Sequence, residues 1–257
     1  MPPILFEIKD NIAFITLNRP DKFNSFNREM ALSMQEKLVE CKNPSIRCVY
    51  ITGTGKAFSA GQDISELTGE NAIAIKQILS EHFNPIVTII RKLEKPVVAA
   101  VNGVAAGAGA NIALCCDIVV ANQSASFLQA FSKIGLIPDS GGTFTLPRLI
   151  GWQKASALMM LGEKVTSTEA ERLGMLYKVF TDETFTEESK KIAAALAAMP
   201  TKGLAYTKLV LNHSLVNSWE EQLQDEDIFQ QRAAQTTDYK EGIQAFLEKR
   251  QPVFKGE

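Results

Sequence analysis

Residues 97–111 read Val-Val-Ala-Ala-Val-Asn-Gly-Val-Ala-Ala-Gly-Ala-Gly-Ala-Asn. The first five are apolar without alternation, which describes a short strand buried on both faces. The small residues after it form a turn at the strand's carboxyl end and then open a helix. Ligands of open α/β sheets sit at such ends. Working outward, the runs 46–52 and 117–121 (Asp-Ile-Val-Val-Ala) are further buried strands. Helix signals lie between them. One begins near Asn27, with Met30, Leu32, Met34, Leu38 and Val39 on an apolar face. Another runs from about 72 to 93 and is interrupted near Asn84-Pro85. Strand and helix in alternation predict an α/β fold with a parallel sheet under helical cover.

The two ends differ from this middle. Runs 4–8 and 12–17, rich in β-branched and aromatic residues and joined by Lys9-Asp-Asn, predict a hairpin. Beyond Gly141 the chain reads helical except for a short strand near 177–180. Helices are expected over 184–199, 202–214, 218–235 and 239–249. The change to all-helical sequence near Pro200 divides the chain into a core, 1–199, and a helical region, 200–257.

Composition narrows the function. The 257 residues carry 27 Lys and Arg against 29 Asp and Glu, a net charge of −2, with no basic patch for nucleic acid or a membrane surface. No apolar run approaches the ~18 residues of a membrane helix, and no basic-then-apolar leader opens the chain. Cys41, Cys48, Cys115 and Cys116 lack the spacing of a zinc site or an ordinary disulfide. They read as buried thiols of a cytoplasmic protein. No His, Cys, Asp and Glu cluster has metal-ligand spacing, so no metal is expected.

Three segments carry chemistry. Lys56-Ala-Phe-Ser-Ala-Gly-Gln-Asp-Ile64 follows a buried strand, and its small residues let a ligand approach the backbone. Its N–H groups could hold an oxyanion; alternatively the turn is a plain connection with Asp63 capping the next helix. The segment 102–111 repeats the arrangement. As a dinucleotide loop starting at Gly107 and Gly109 it would need a third glycine at position 112, which is Ile112. Two separate small-residue loops fit a two-donor oxyanion hole better. The third segment, 135–147, holds Asp139. It is either an N-cap, shared with Ser140 as the other candidate, or a carboxylate at the mouth of an apolar pocket, where burial would raise its pKa toward that of a useful base. His82, His213, Met159-Met160 and the run 220–227 read as packing or surface positions. Asp117 reads as a carboxylate bonding backbone groups at a strand start.

Together these segments resemble the crotonase, or enoyl-CoA hydratase/isomerase, superfamily. The resemblance adds Ile15-Thr-Leu-Asn-Arg-Pro, Lys95-Pro-Val-Val-Ala-Ala-Val-Asn-Gly, Cys116-Asp-Ile-Val-Val-Ala, Gly141-Gly-Thr and Glu241-Gly-Ile-Gln-Ala-Phe-Leu-Glu-Lys-Arg. It implies a ββα-spiral core, a helical C-terminal trimerisation region, an acyl-CoA thioester substrate, no separate cofactor and a trimer or dimer of trimers. It also implies oxyanion donors at Gln62 and Ala108. Substrate or CoA contacts are implied at Lys22, Ala60, Gly61, Asp63, Ile64, Gly107, Asn111, Phe131 and Lys249.

Hydratases of the superfamily carry one glutamate six residues before the position of Asp117 and a second twenty residues further on. These positions hold Asn111 and Phe131. Asp139 stands where some isomerases keep a single acid/base. Segment 130–143 is most similar to the ring-epoxide isomerases of phenylacetate degradation, which turn 1,2-epoxyphenylacetyl-CoA into the oxepin-CoA and also shift enoyl-CoA double bonds. The alternatives are a Δ3,Δ2-enoyl-CoA isomerase of fatty-acid β-oxidation, an enoyl-CoA hydratase, and a non-catalytic scaffold of the same fold.

Overall fold

A computed structural model describes residues 1–69 and 72–257. Strands β1 (Ile4–Lys9), β2 (Ile12–Leu17), β3 (Cys48–Gly53), β5 (Val97–Val101), β7 (Ile118–Asn122) and β10 (Lys178–Phe180) form one six-stranded sheet in the order β1-β2-β3-β5-β7-β10. Only the β1–β2 hairpin is antiparallel. Its two-residue loop has Asp10 and Asn11 both at positive φ, 51° and 61°, the turn that matches strand twist. A second sheet has the order β4-β6-β8-β9, from β4 (Ala57–Ser59), β6 (Val104–Ala106), β8 (Ser126–Leu128) and β9 (Lys164–Thr166). None of these four strands is expected from the sequence, because each depends on pairing between distant segments rather than on a local pattern.

The helices are α1 (Arg28–Glu40), α2 (Ile75–Gln77), α3 (Asn84–Lys92), α4 (Ala108–Leu114), α5 (Gly142–Ile150), α6 (Trp152–Leu161), α7 (Ser167–Arg172), α8 (Phe185–Ala198), α9 (Thr201–His213), α10 (Trp219–Ala234) and α11 (Thr237–Glu248). Asn27 caps α1 by accepting the Met30 N–H. Met30, Met34 and Leu38 are buried as the periodicity requires, but Leu32 and Val39 lie exposed on the other side. The expected interruption at Asn84-Pro85 does not occur. A π-helical segment, Ile78–Phe83, joins α2 to α3, and the Asn84 N–H reaches back to the Leu79 carbonyl. The widened turn lets the helix run into a residue that has no N–H of its own.

The unbroken apolar run of β5 is explained by cover on both faces. Val97, Ala99 and Val101 pack with Met30, Phe58, Phe83 and Ile86 in the larger core. Val98 and Ala100 pack with Tyr50, Phe185 and Ala193 under α8. All four cysteines are free and buried, and burial pushes the Cys41 and Cys48 thiols up to about 12.

The C-terminal helices are tied to the amino end of the sheet. Arg47 donates to the carbonyls of Met199 and Phe254 at 2.6 and 2.8 Å and to Thr201 Oγ1 at 2.9 Å. Lys208, on α9, donates to Asp117 at 2.8 Å and to the carbonyls of Ile90 and Lys95. The same Asp117 oxygen accepts the Val97 N–H at 2.8 Å, so it fixes the start of β5. No helix of the described residues is long and apolar enough to cross a membrane.

Candidate active site

The two small-residue loops lie side by side because β4 pairs with β6 in parallel. Contact between them is close. A Cβ on Gly109 would stand 2.6 Å from the Ser59 carbonyl oxygen, and one on Gly61 would stand 2.9 Å from that of Ala106. Glycine is therefore required at both positions, and Gly61 is also at φ +88°.

In the first loop, the Phe26 N–H donates to the Gly61 carbonyl and the Asp63 N–H to the Phe26 carbonyl. The peptide between them leaves the Gln62 N–H without a protein acceptor among the described residues. In the second loop, Gly107 takes φ 53°, ψ −128°, a conformation open essentially to glycine alone. Ala108 then begins α4, where its N–H has no acceptor within the helix, and it is likewise without a protein acceptor among the described residues.

Both residues line a cavity of about 550 Å³. The rest of its wall is mostly apolar, with Asn84, Asp139 and Ser140 as its polar members. Ile64, Leu67 and Ile75 line it, as do Ile78, Leu79 and Phe83 of the π-helical segment and Phe131, Ile134, Leu136 and Ile137. The Phe131 ring lies over Gly107, where a Cβ would be 3.7 Å from its Cζ. Asp139 is the only titratable side chain on this wall among the described residues.

Asp139 does not cap α5. That helix begins after Gly141 with no side-chain cap, and it is the Asp139 main-chain carbonyl that accepts the Gly142 N–H, at 2.8 Å. The carboxylate is left to the cavity, where Ser140 Oγ donates to its Oδ1 at 2.8 Å. Ser140 reaches this position at φ 51°, left-handed backbone that is strained for serine. Burial raises the Asp139 pKa above the ordinary carboxylate value, and the Ser140 bond opposes that rise in part.

The wall thus holds Ala60, Gln62, Ile64, Gly107, Ala108, Phe131 and Asp139 of the residues expected from sequence. Gly61, Asp63, Asn111, Lys22 and Lys249 do not line it. Asp63 serves the loop itself. It accepts from Ser65 N–H and Oγ, capping the 3-10 turn Ile64–Leu67, and pairs with Arg19 at 2.9 Å. Burial alone would raise its pKa, but the Ser65 and Arg19 bonds hold it below the ordinary range. Asn111 is fully buried behind the wall. Lys22 is exposed in the 3-10 turn Pro20–Lys22, and Lys249 is the exposed, left-handed residue that ends α11. The sequence does not foretell the π-helical wall or the hold of Ser140 on the carboxylate. The adjacency of Ser140 to Asp139 is a visible hint of the second.

The site of this α/β protein is thus a largely apolar cavity at the carboxyl ends of the parallel strands β4 and β6, with one carboxylate and two residues whose backbone N–H groups lack a protein acceptor among the described residues. The family model described as enoyl-CoA hydratase/isomerase matches residues 7–257, and the chain belongs to that family. It is similar to the 1,2-epoxyphenylacetyl-CoA isomerase of Escherichia coli K12, with 43% identity over 98% of both chains. It is similar also to the trans-2-decenoyl-[acyl-carrier-protein] isomerase of Streptococcus mutans, with 33% identity over 98% of both. Among solved structures, an enoyl-CoA hydratase from Bacillus anthracis superposes with a TM-score of 0.92 at 31% identity, covering 99% of this chain and 100% of that one.

Proposed function

We propose that this chain is an isomerase of acyl-CoA thioesters that works through an enolate with Asp139 as its single acid/base. The observation that carries the reading is that no other titratable side chain of the described residues lines the cavity. The thioester carbonyl accepts from the N–H groups of Gln62 and Ala108. The Asp139 carboxylate takes a proton from the α-carbon, and the electron pair moves onto the thioester oxygen. Two preorganised donors stabilise that charge, at roughly 3–4 kcal/mol per donor in comparable sites. Asp139 then returns the proton at another carbon. Hydration would need a second carboxylate to hold and activate water, and Phe131 and the buried Asn111 supply none.

The physiological reaction we favour is conversion of 1,2-epoxyphenylacetyl-CoA to the oxepin-CoA in phenylacetate catabolism. The 43% identity to an isomerase of that name supports it, as do two aromatic side chains, Phe83 and Phe131, on the cavity wall. A second reading is a shift of a Δ3 double bond to Δ2. The many isoleucines and leucines of the wall favour it, because they suit an alkenyl chain. Turnover of 3-hexenoyl-CoA and epoxyphenylacetyl-CoA measured side by side separates the two, and activity on neither rejects both.

The region 200–257 is proposed to join subunits into a trimer or a dimer of trimers in the cytoplasm. In the single chain Val216, Trp219, Phe246 and Leu247 stand largely in solvent, an apolar surface that burial between subunits would remove.

A further inference from the structure

Every residue of α4 is buried, and one of them, Asn111, carries a polar side chain in the middle of the helix. An amide there costs stability unless it is fully bonded. It is bonded in a way that allows a single orientation. The main-chain oxygen of Asp139 can only accept, so Asn111 presents Nδ2 to it, at 2.9 Å. That turns Oδ1 toward Gln129, which must present its own amide nitrogen, and the Gln129 Nε2–Asn111 Oδ1 distance is 2.8 Å. Gln129 is itself 2% exposed.

The amide is also seated against the start of α5. A Cβ on Gly142 would come within 2.6 Å of the Asn111 Cγ, so the glycine is what admits the side chain. Gly142 and Asn111 donate together to the Asp139 carbonyl.

We infer that Asn111 is a positioning residue for Asp139: it clamps the main chain beneath the carboxylate, and Gln129 sets the direction of the clamp. The inference rests on the proposal that Asp139 is the acid/base. Neither amide reaches the cavity wall, so neither touches substrate. Their effect is on where the carboxylate stands relative to the α-carbon, and a displacement of about 1 Å is enough to cost about a hundredfold in rate.

The test uses the 257-residue chain as it purifies, with 3-hexenoyl-CoA. Asn111→Leu keeps the volume and removes both bonds. It is expected to lower kcat about 10- to 100-fold while KM stays within about twofold, the pattern of an interaction that matters in the transition state. Gln129→Met should give a smaller loss in the same direction. The double variant should be no worse than Asn111→Leu alone, because Gln129 acts through Asn111. If Asn111→Leu does not fold, Gln129→Met carries the kcat and KM comparison. A wild-type kcat in the Asn111 variant, a KM rise matching the kcat loss, or multiplicative effects in the double variant would overturn the inference. Asp139→Asn, measured in parallel, keeps the two ideas apart. If it is inactive while Asn111→Leu is normal, only the clamp is wrong; if it stays active, the acid/base reading fails and takes the clamp with it.

Discussion

Gly61 and Ala108 stand so close that a Cβ on the glycine would lie 3.2 Å from the Ala108 nitrogen. The two loops proposed to supply the oxyanion donors are therefore held against each other at this glycine. Gly61→Ala should both strain the backbone and push Ala108 away. We expect a stability loss of about 1–3 kcal/mol for the positive φ alone. Turnover should fall about tenfold or more as the donors separate. Thermal unfolding and steady-state kinetics on the variant check both, and unchanged kinetics would mean that the two donors do not act together.

The half-buried Asp139 carboxylate has a cost with a definite pH dependence. The folded-state pKa of Asp139 is raised above its ordinary value of 3.8, chiefly by burial. Below that value both folded and unfolded chains hold the proton, and the site costs nothing. As pH rises the unfolded chain ionises first, so stability is lost until the raised folded value is passed. Asp139→Asn cannot ionise and escapes this loss. Its melting temperature relative to wild type should rise between pH 3 and pH 7. A difference that does not change with pH would show that burial does not perturb the group. The acid limb of kcat/KM should likewise lie above the ordinary carboxylate range.

Much of the core is legible in the sequence because it follows from period and punctuation. The unbroken run 97–101 identifies a strand covered on both faces, and Asn27 marks the start of α1. Pro200 separates α8 from α9. The second sheet is invisible, since β4, β6, β8 and β9 owe their existence to pairing between distant segments rather than to a local pattern. The helix through Pro85 escapes sequence reasoning because a π-helical turn leaves no mark in composition. At the site, Asp139 and the two glycine-rich loops can be picked out one by one. The Gln129–Asn111–Asp139 chain cannot, because 18 and 28 residues separate its members and only the tertiary fold joins them.

The exposed apolar surface of the C-terminal helices gives a prediction about assembly. Light scattering at micromolar concentration should return three or six times the mass of one chain. A stable monomer would reject the proposed role of residues 200–257. Replacing Phe246, at 81% exposure, with serine should then weaken the assembly without changing the isolated chain's fold.

Turnover of 3-hexenoyl-CoA by Asp139→Asn is the most direct test of the mechanism. The substitution keeps the shape of the side chain and removes its ability to accept a proton. If Asp139 is the single acid/base, kcat should fall by about 10²–10⁴-fold while binding of the CoA ester changes little. Near-normal isomerisation by Asp139→Asn would contradict that account.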